Sequence, residues 1–289
     1  MHAHETRPPV YGPCFSRLYG NVMAVNLFPR EKVCSFNCIY CQYGPTERKA
    51  ASTEEIRKGT DSLAYSPSDV EAALLAAGLE NVGTLIVSGR GEPLLCENFA
   101  PVVSTIVRLR DIRYRHLKLV LMSNGTSLSQ DRLTTIERFD ELIFKLDAGD
   151  SDTFEAVNVP CRSFTFNALV RKLKMLRRFK IRTAVLAENL LSLRSASYAE
   201  LVNELHPEEL HLYQVDRPVV GKPSMRVPTS YLLSLADHLR DLLTISVRVI
   251  SHPRARGMHP LADSSSCPRR GDVSSRQTSE ETPGRDFSL

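Results

Sequence analysis

The chain has 289 residues, with 37 Lys and Arg against 33 Asp and Glu, a formal net charge of +4, 42% apolar and 24% charged residues. That apolar share excludes a wholly disordered chain, no apolar run approaches the roughly 18–20 residues of a membrane helix, and a net charge of +4 is too weak to imply nucleic-acid binding. Seven cysteines, an odd number in a chain too large to need staples, argue against a disulfide framework. The opening Met1-His-Ala-His-Glu has no apolar stretch of signal-peptide type, so a soluble cytoplasmic protein is expected.

In chain order, Cys14 precedes a first predicted strand at 22–27, and a loop then carries Cys34, Cys38 and Cys41 within eight residues. Ser66 followed by Pro67 reads as an N-cap and first-turn proline, opening a helix over 67–79. A strand at 84–88 runs into Gly89-Arg90-Gly91-Glu92-Pro93, and a helix over 99–110 follows. The strand at 118–123 ends in Ser123-Asn124-Gly125-Thr126, before a helix over 131–138. Strand 141–147 alternates, with Ile143, Lys145 and Asp147 on one face and Phe144 and Leu146 on the other. Helices at 166–179, 199–205 and 229–242 then separate strands at 181–187, 209–215 and 245–250. From about Arg254 the composition turns polar, so residues 1–253 are read as one domain and 254–289 as a disordered tail. No internal repeat is present.

Repeated strand-then-helix order gives parallel strands with right-handed crossovers. The sheet is either a barrel or open and doubly wound, and in both the chemistry lies at the C-terminal strand ends. Three close thiolates there can surround a metal centre. Three buried cysteines acting as small hydrophobes is one alternative; a zinc site is another, although it needs a fourth ligand that no second cysteine pair supplies. A four-iron cluster normally takes four cysteines, so three would leave one iron open. Lys145 and Asp147, if turned inward, need each other or a ligand. Arg217, beyond the strand at 209–215, is a candidate clamp for a carboxylate or phosphate, or an ordinary surface arginine.

The spacing C-x3-C-x2-C, with Tyr40 just before the last cysteine, resembles the radical S-adenosylmethionine (SAM) superfamily. Gly89-Arg90-Gly91-Glu92-Pro93 is similar to that family's Gly-Gly-Glu-Pro motif, with Arg90 where the family often has Gly, and 123–126 is similar to its Thr-Asn-Gly turn. The resemblance implies a partial (β/α)6 TIM-type barrel with parallel strands and a [4Fe–4S] cluster on Cys34, Cys38 and Cys41. SAM would bind the open iron and be cleaved to a 5′-deoxyadenosyl radical that abstracts hydrogen from a substrate the sequence does not identify. It further implies Tyr40 near the adenine, and Gly89, Gly91, Glu92 and Pro93 near the SAM ammonium. Ser123, Asn124 and Asp147 would lie near the ribose or carboxylate, Glu188 and Asn189 near the ribose, and Lys145 and Arg217 are the catalytic candidates. A reducing electron donor such as flavodoxin or ferredoxin is implied as partner.

The stretches 11–17, 21–29, 34–43, 145–150 and 215–218 are similar to the small bacterial radical SAM proteins grouped with the wyosine-base (4-demethylwyosine) synthases of tRNA. Those enzymes carry a second cluster, for which only the dispersed Cys14, Cys96, Cys161 and Cys267 remain; a lone cysteine could instead donate hydrogen. Residues 171–182 hold seven basic residues in twelve and 108–118 five in eleven. On helices flanking a barrel these read as a solvated face rather than a tRNA footprint. A non-catalytic iron–sulfur or zinc module is the alternative from another class.

Overall fold

A computed structural model describes residues 6–57, 64–215 and 226–251. The predicted tail, Cys267 and the candidate Arg217 lie outside the described residues.

A hairpin, β1 (Val10–Ser16) with β2 (Gly20–Val25), opens the chain. Next come the short pair β3 (Val33–Cys34) and β4 (Arg48–Lys49), then α1 (Thr53–Arg57) and α2 (Pro67–Ala77). The remaining strands are β5 (Thr84–Val87), β6 (Lys118–Ser123), β7 (Glu141–Lys145), β8 (Lys180–Val185), β9 (Glu209–Gln214) and β10 (Ser246–Ile250). Helices α3 (Phe99–Arg113), α4 (Gln130–Ile136), α5 (Ser151–Asn158), α6 (Phe166–Leu173), α7 (Leu190–Leu193), α8 (Ala196–Leu205) and α9 (Thr229–Leu242) fall between them.

The large sheet has the order β1-β2-β5-β6-β7-β8-β9-β10, antiparallel at β1–β2 and parallel elsewhere. This order never reverses. Right-handed crossovers then put every helix on one face, and the sheet curls around the other. A doubly wound sheet needs a reversal at a switch point, so the fold is the partial barrel of parallel strands, with β10 as its last strand. Among the described residues no helix is long and apolar enough to cross a membrane.

Alternation sorts side chains between the two faces. Leu119, Leu121, Phe144, Ile181, Leu210 and Leu212 join Ile106, Leu169, Val202 and Leu235 of the helices in one buried cluster. Each such side chain contributes about 2 kcal/mol by leaving water. Local signals agree at α2, where the Ser66 hydroxyl accepts from Asp69 N and the Asp69 carboxylate accepts from Ser66 N. They mislead at α6, which stops at Leu173 instead of 179.

The hairpin turn reaches across the barrel. Tyr19 donates its hydroxyl proton to Glu141 at 2.5 Å, and the Arg17 guanidinium donates to the carbonyls of Gln214 at 3.4 Å and Ile250 at 3.5 Å.

Candidate functional site

The cysteine loop follows β2 at the C-terminal mouth and is stitched to two other elements by backbone. On one side Asn37 N donates to Asn158 O at 3.0 Å, Ile39 N to Val157 O at 3.0 Å and Cys161 N to Ser35 O at 2.8 Å, fastening it to the end of α5. On the other, Glu92 N donates to Val33 O at 2.8 Å, fastening it to the turn beyond β5. Gly91 makes that approach feasible: its φ is +132°, and a Cβ there would lie 2.4 Å from Val33 O. Arg90 needs no such freedom. Its N–H donates to Asn26 Oδ1 at 3.2 Å and its side chain pairs with Glu47 at 2.5 Å, so arginine is accommodated where the family often has Gly.

Each cysteine sulfur meets an N–H donor. Asn124 Nδ2 lies 3.6 Å and Phe36 N 3.5 Å from Cys34 Sγ, Asn158 Nδ2 3.5 Å from Cys38 Sγ, and Lys32 Nζ 3.1 Å from Cys41 Sγ. Lys32 is 2% exposed, and its other acceptor is the carbonyl of Gly44. A buried ammonium of this kind demands negative charge nearby, which a thiolate at Cys41 would supply. Burial and the nearby Glu92 hold the Cys34 thiol well above its ordinary range, and burial with Asp147 pushes Cys38 up to about 12. A metal that displaces the proton overcomes that penalty. Among the described residues no three His, Cys, Asp or Glu side chains converge where one ion could be held. Three thiols from one loop, each beside an N–H donor, are a donor set whose chemistry suits an iron–sulfur cluster.

The other predicted residues extend this site along two hydrogen-bonded chains, one from Cys34 and one from Cys38. Glu92, 2% exposed, accepts from Leu94 N at 2.9 Å, Ser123 Oγ at 2.6 Å and Asn124 N at 2.7 Å, binding the end of β5 to that of β6. Burial raises its pKa to about 7 against the pull of those donors. Asn124 continues to Ser35 Oγ at 2.9 Å. Beyond Cys38, Asn158 Nδ2 also donates to Asp147 Oδ2 at 2.8 Å, while its own Oδ1 is buried without a partner. Asp147 further accepts from Tyr40 OH, Ala184 N at 2.8 Å and Lys145 Nζ at 3.0 Å. Lys145 donates to Tyr213 OH at 3.0 Å. Burial alone would lower the Lys145 pKa, but the charge of Asp147 raises it above the ordinary value.

Asn189 is a brace: buried, it donates to the carbonyls of Asp147 and Ala184, both at 2.8 Å, and accepts from Leu186 N at 2.9 Å. Cys96 and Cys161 are packed in the main apolar cluster, and Cys14 lies on β1 against Val22 and Ile86. The basic stretches are dispersed. Arg108 pairs with Glu71 at 2.7 Å, Lys174 with Glu204 at 2.6 Å, and Arg178 holds the carbonyls of Phe139 and Asp140, both at 3.0 Å. Lys32, Ser35 and Asn158 escaped the sequence reading; the available signal was Lys32, two residues before the first cysteine. A surface cleft lined by Arg110, Asp111, Arg115, Leu117 and Asp140 opens beside the N-terminal ends of β6 and β7, away from this chemistry.

The sequence model of the radical SAM superfamily matches residues 32–190, more than half of the chain. A UPF0026 protein of Helicobacter pylori is 31% identical over 162 residues, covering 55% of this chain and 48% of that protein. The chain spans less than half the length of the curated relatives it first matches. Among solved structures, a radical SAM methyltransferase from Sphaerobacter thermophilus superposes with a TM-score of 0.57 at 15% identity, over 80% of this chain and 66% of that one. The TYW1 structure with a lysine–pyruvate adduct bound superposes with a TM-score of 0.50 at 18% identity, over 77% and 74%. At such identities these two likenesses concern the fold alone.

Proposed function

The chain belongs to the radical SAM superfamily, and from that premise we propose that it is an enzyme in which Cys34, Cys38 and Cys41 hold a [4Fe–4S] cluster with one iron left for SAM. The observation that carries the reading is the three-thiol loop, each sulfur beside an N–H donor, sewn to the turn of Gly91 and Glu92. When bound, such a cluster supplies the electron that cleaves SAM to a 5′-deoxyadenosyl radical. The protein's own part is positioning. Lys32 offsets negative charge at Cys41, while Asn124 and Asn158 orient the sulfurs of Cys34 and Cys38.

The unpartnered Asn158 Oδ1 offers an acceptor to the SAM ammonium or a ribose hydroxyl beside Asp147. Tyr40, held on Asp147, would stack on the adenine, and the backbone of Gly89, Gly91 and Pro93 would border the methionine part. Glu92 and Ser123 would act chiefly by fixing Asn124, since their hydrogen bonds run to each other and to that turn. Lys145 would stand at the substrate side of Asp147. A flavodoxin- or ferredoxin-type donor would deliver the electron.

Kinship with the wyosine-base synthases rests on sequence motifs. The burial of Cys96 and Cys161 in the core gives no support to a second cluster, so tRNA is kept as a substrate to test.

Anaerobic reconstitution should give about four irons per chain by the four-iron stoichiometry, an EPR signal that SAM alters, and 5′-deoxyadenosine on reduction. Cys34→Ala, Cys38→Ala or Cys41→Ala should each abolish that product. Bound zinc, or a cluster whose spectrum ignores SAM, would overturn the reading.

A further inference from the structure

Residues in register on neighbouring parallel strands share a face of the sheet. The register pairs Lys145 with Arg182, Arg182 with His211 and His211 with Arg248. One basic side chain per strand thus stands at the same height across β7–β10, on the face turned into the barrel. Like charges directly opposite are destabilising, so each needs an answering charge.

Three of the four have one. Lys145 has Asp147 at 3.0 Å, Arg248 has Glu209 at 2.8 Å, and His211 Nε2 contacts Glu209 at 2.7 Å. Arg182 has no carboxylate among the described residues. Its guanidinium reaches the Met122 sulfur at 3.7 Å and lies over the Tyr213 ring, 4.6 Å from the centroid. It is half-buried, and its charge works against that of Lys145, which lies over the same ring at 4.4 Å. Beside it, His211 Nδ1 is buried with no partner. With Nε2–H assigned to Glu209, that nitrogen is an open acceptor. The row lies one inward-facing position below Ala184, about 7 Å deeper than the rim by the strand rise.

We propose that Arg182, with Lys145 beside it, binds an oxyanion, the carboxylate or phosphate of the substrate, on the inner face of β7–β10. The proposal rests on the radical SAM reading and gives that substrate its chemical class: an anion, seated deeper than the SAM contacts. A guanidinium fork matches either group with two parallel hydrogen bonds. The Tyr213 ring backs the guanidinium, and a hydroxyl or water accompanying the anion satisfies His211 Nδ1.

The test is calorimetric titration of the full chain, before cluster assembly, with inorganic phosphate and separately with succinate at low salt. One saturable site is expected for at least one anion, and the preferred anion assigns phosphate or carboxylate. Arg182→Gln should weaken binding at least tenfold, and Arg182→Lys several-fold because the second parallel hydrogen bond is lost. Lys174→Gln, on the outer surface, should bind as the natural protein does. Should Arg182→Gln fail to fold, the Arg182→Lys result decides. No saturable binding of either anion, or undiminished binding in the arginine variants, would overturn the proposal. Displacement of the anion by SAM would overturn it too, making this the cofactor's own carboxylate subsite. The EPR response to SAM is measured separately on reconstituted protein, so either reading can fail alone.

Discussion

On β2, β5 and β6 the inner wall of the barrel carries Val22, Ile86 and Val120, which with Ile143 low on β7 make one small apolar cluster. On β7–β10 it is Lys145, Arg182, His211 and Arg248, with Glu141 and Glu209 among them. The difference shows two ways of making a site. Where the wall is apolar, the site above it is held by main chain, in the close approach of Gly91 to Val33 and the backbone bonds that fasten the cysteine loop. Where the wall is charged, it is held by side chains in ion pairs, and Arg182 has no carboxylate partner among the described residues. Backbone sites break when a Cβ intrudes; charged sites break when a proton or a partner is removed.

The largest effect is expected on the backbone side. Gly91→Ala places a Cβ against Val33 O at a φ that only glycine adopts readily. A loss of about 3 kcal/mol is expected from strain and displaced backbone, with the cysteine loop detached and iron uptake lost. Denaturant melts and iron analysis check this; an unchanged midpoint would show that the loop yields freely. Next comes Lys32→Met, which keeps the shape of the buried stem and removes its charge beside Cys41. The cluster potential should move to more negative values in a redox titration followed by EPR, because the reduced state carries the greater negative charge.

The charged side should answer to pH. Burial would raise the Glu209 pKa, but hydrogen bonds and charge from His211 and Arg248 outweigh it and hold the carboxyl near 2 against an ordinary 4.5. A depressed carboxylate stabilises the fold fully above its unfolded value and loses that contribution as pH falls from about 4.5 towards 2. His211, lowered first by burial, acts in the same direction at higher pH, because the unfolded imidazole takes up a proton below its ordinary 6.5. Glu209→Gln should therefore flatten the acid limb of stability against pH, read by thermal melts between pH 3 and 7. An unaltered slope would mean that the ion pairs with Arg248 and Lys180 hold nothing. The smallest effect is expected for Tyr19→Phe, which removes a single hydrogen bond to Glu141 and should cost about 1.5 kcal/mol.

Most of the parallel strands were legible as short apolar runs with β-branched residues between turn residues, whereas β9 has none and is marked by the alternation of Leu210 and Leu212 with His211 and Tyr213. Their ends carried Gly89–Pro93, Ser123, Asn124 and Asp147, and all of these reach the mouth of the barrel. Less visible was β1, whose Pro13 argues against a strand and is tolerated because β1 lies at the edge of the sheet. The short α5 was also passed over, although Asp150 caps it by accepting from Thr153 N at 2.7 Å. Its importance comes from contacts more than a hundred residues away in sequence, at Asn37 and Cys38. Asn158 and the pairing of Arg182 with His211 depend on such long-range register, which alternation within one strand cannot reveal, whereas Lys32 reaches Cys41 within the same loop. The overlong helix at 166–179 followed the basic run too far; its end uncoils before β8.

The turn carrying Arg17 and Tyr19 has a further meaning for any attempt to shorten the protein. The span shared with the superfamily, residues 32–190, contains neither the hairpin nor β9 and β10. A chain trimmed to that span would end its sheet at β5 and β8, two bare edges with unpaired peptide groups, an invitation to self-association. The shared segment carries the cysteine loop, but the strands that cover its two sheet edges lie in flanks that the family signature does not include.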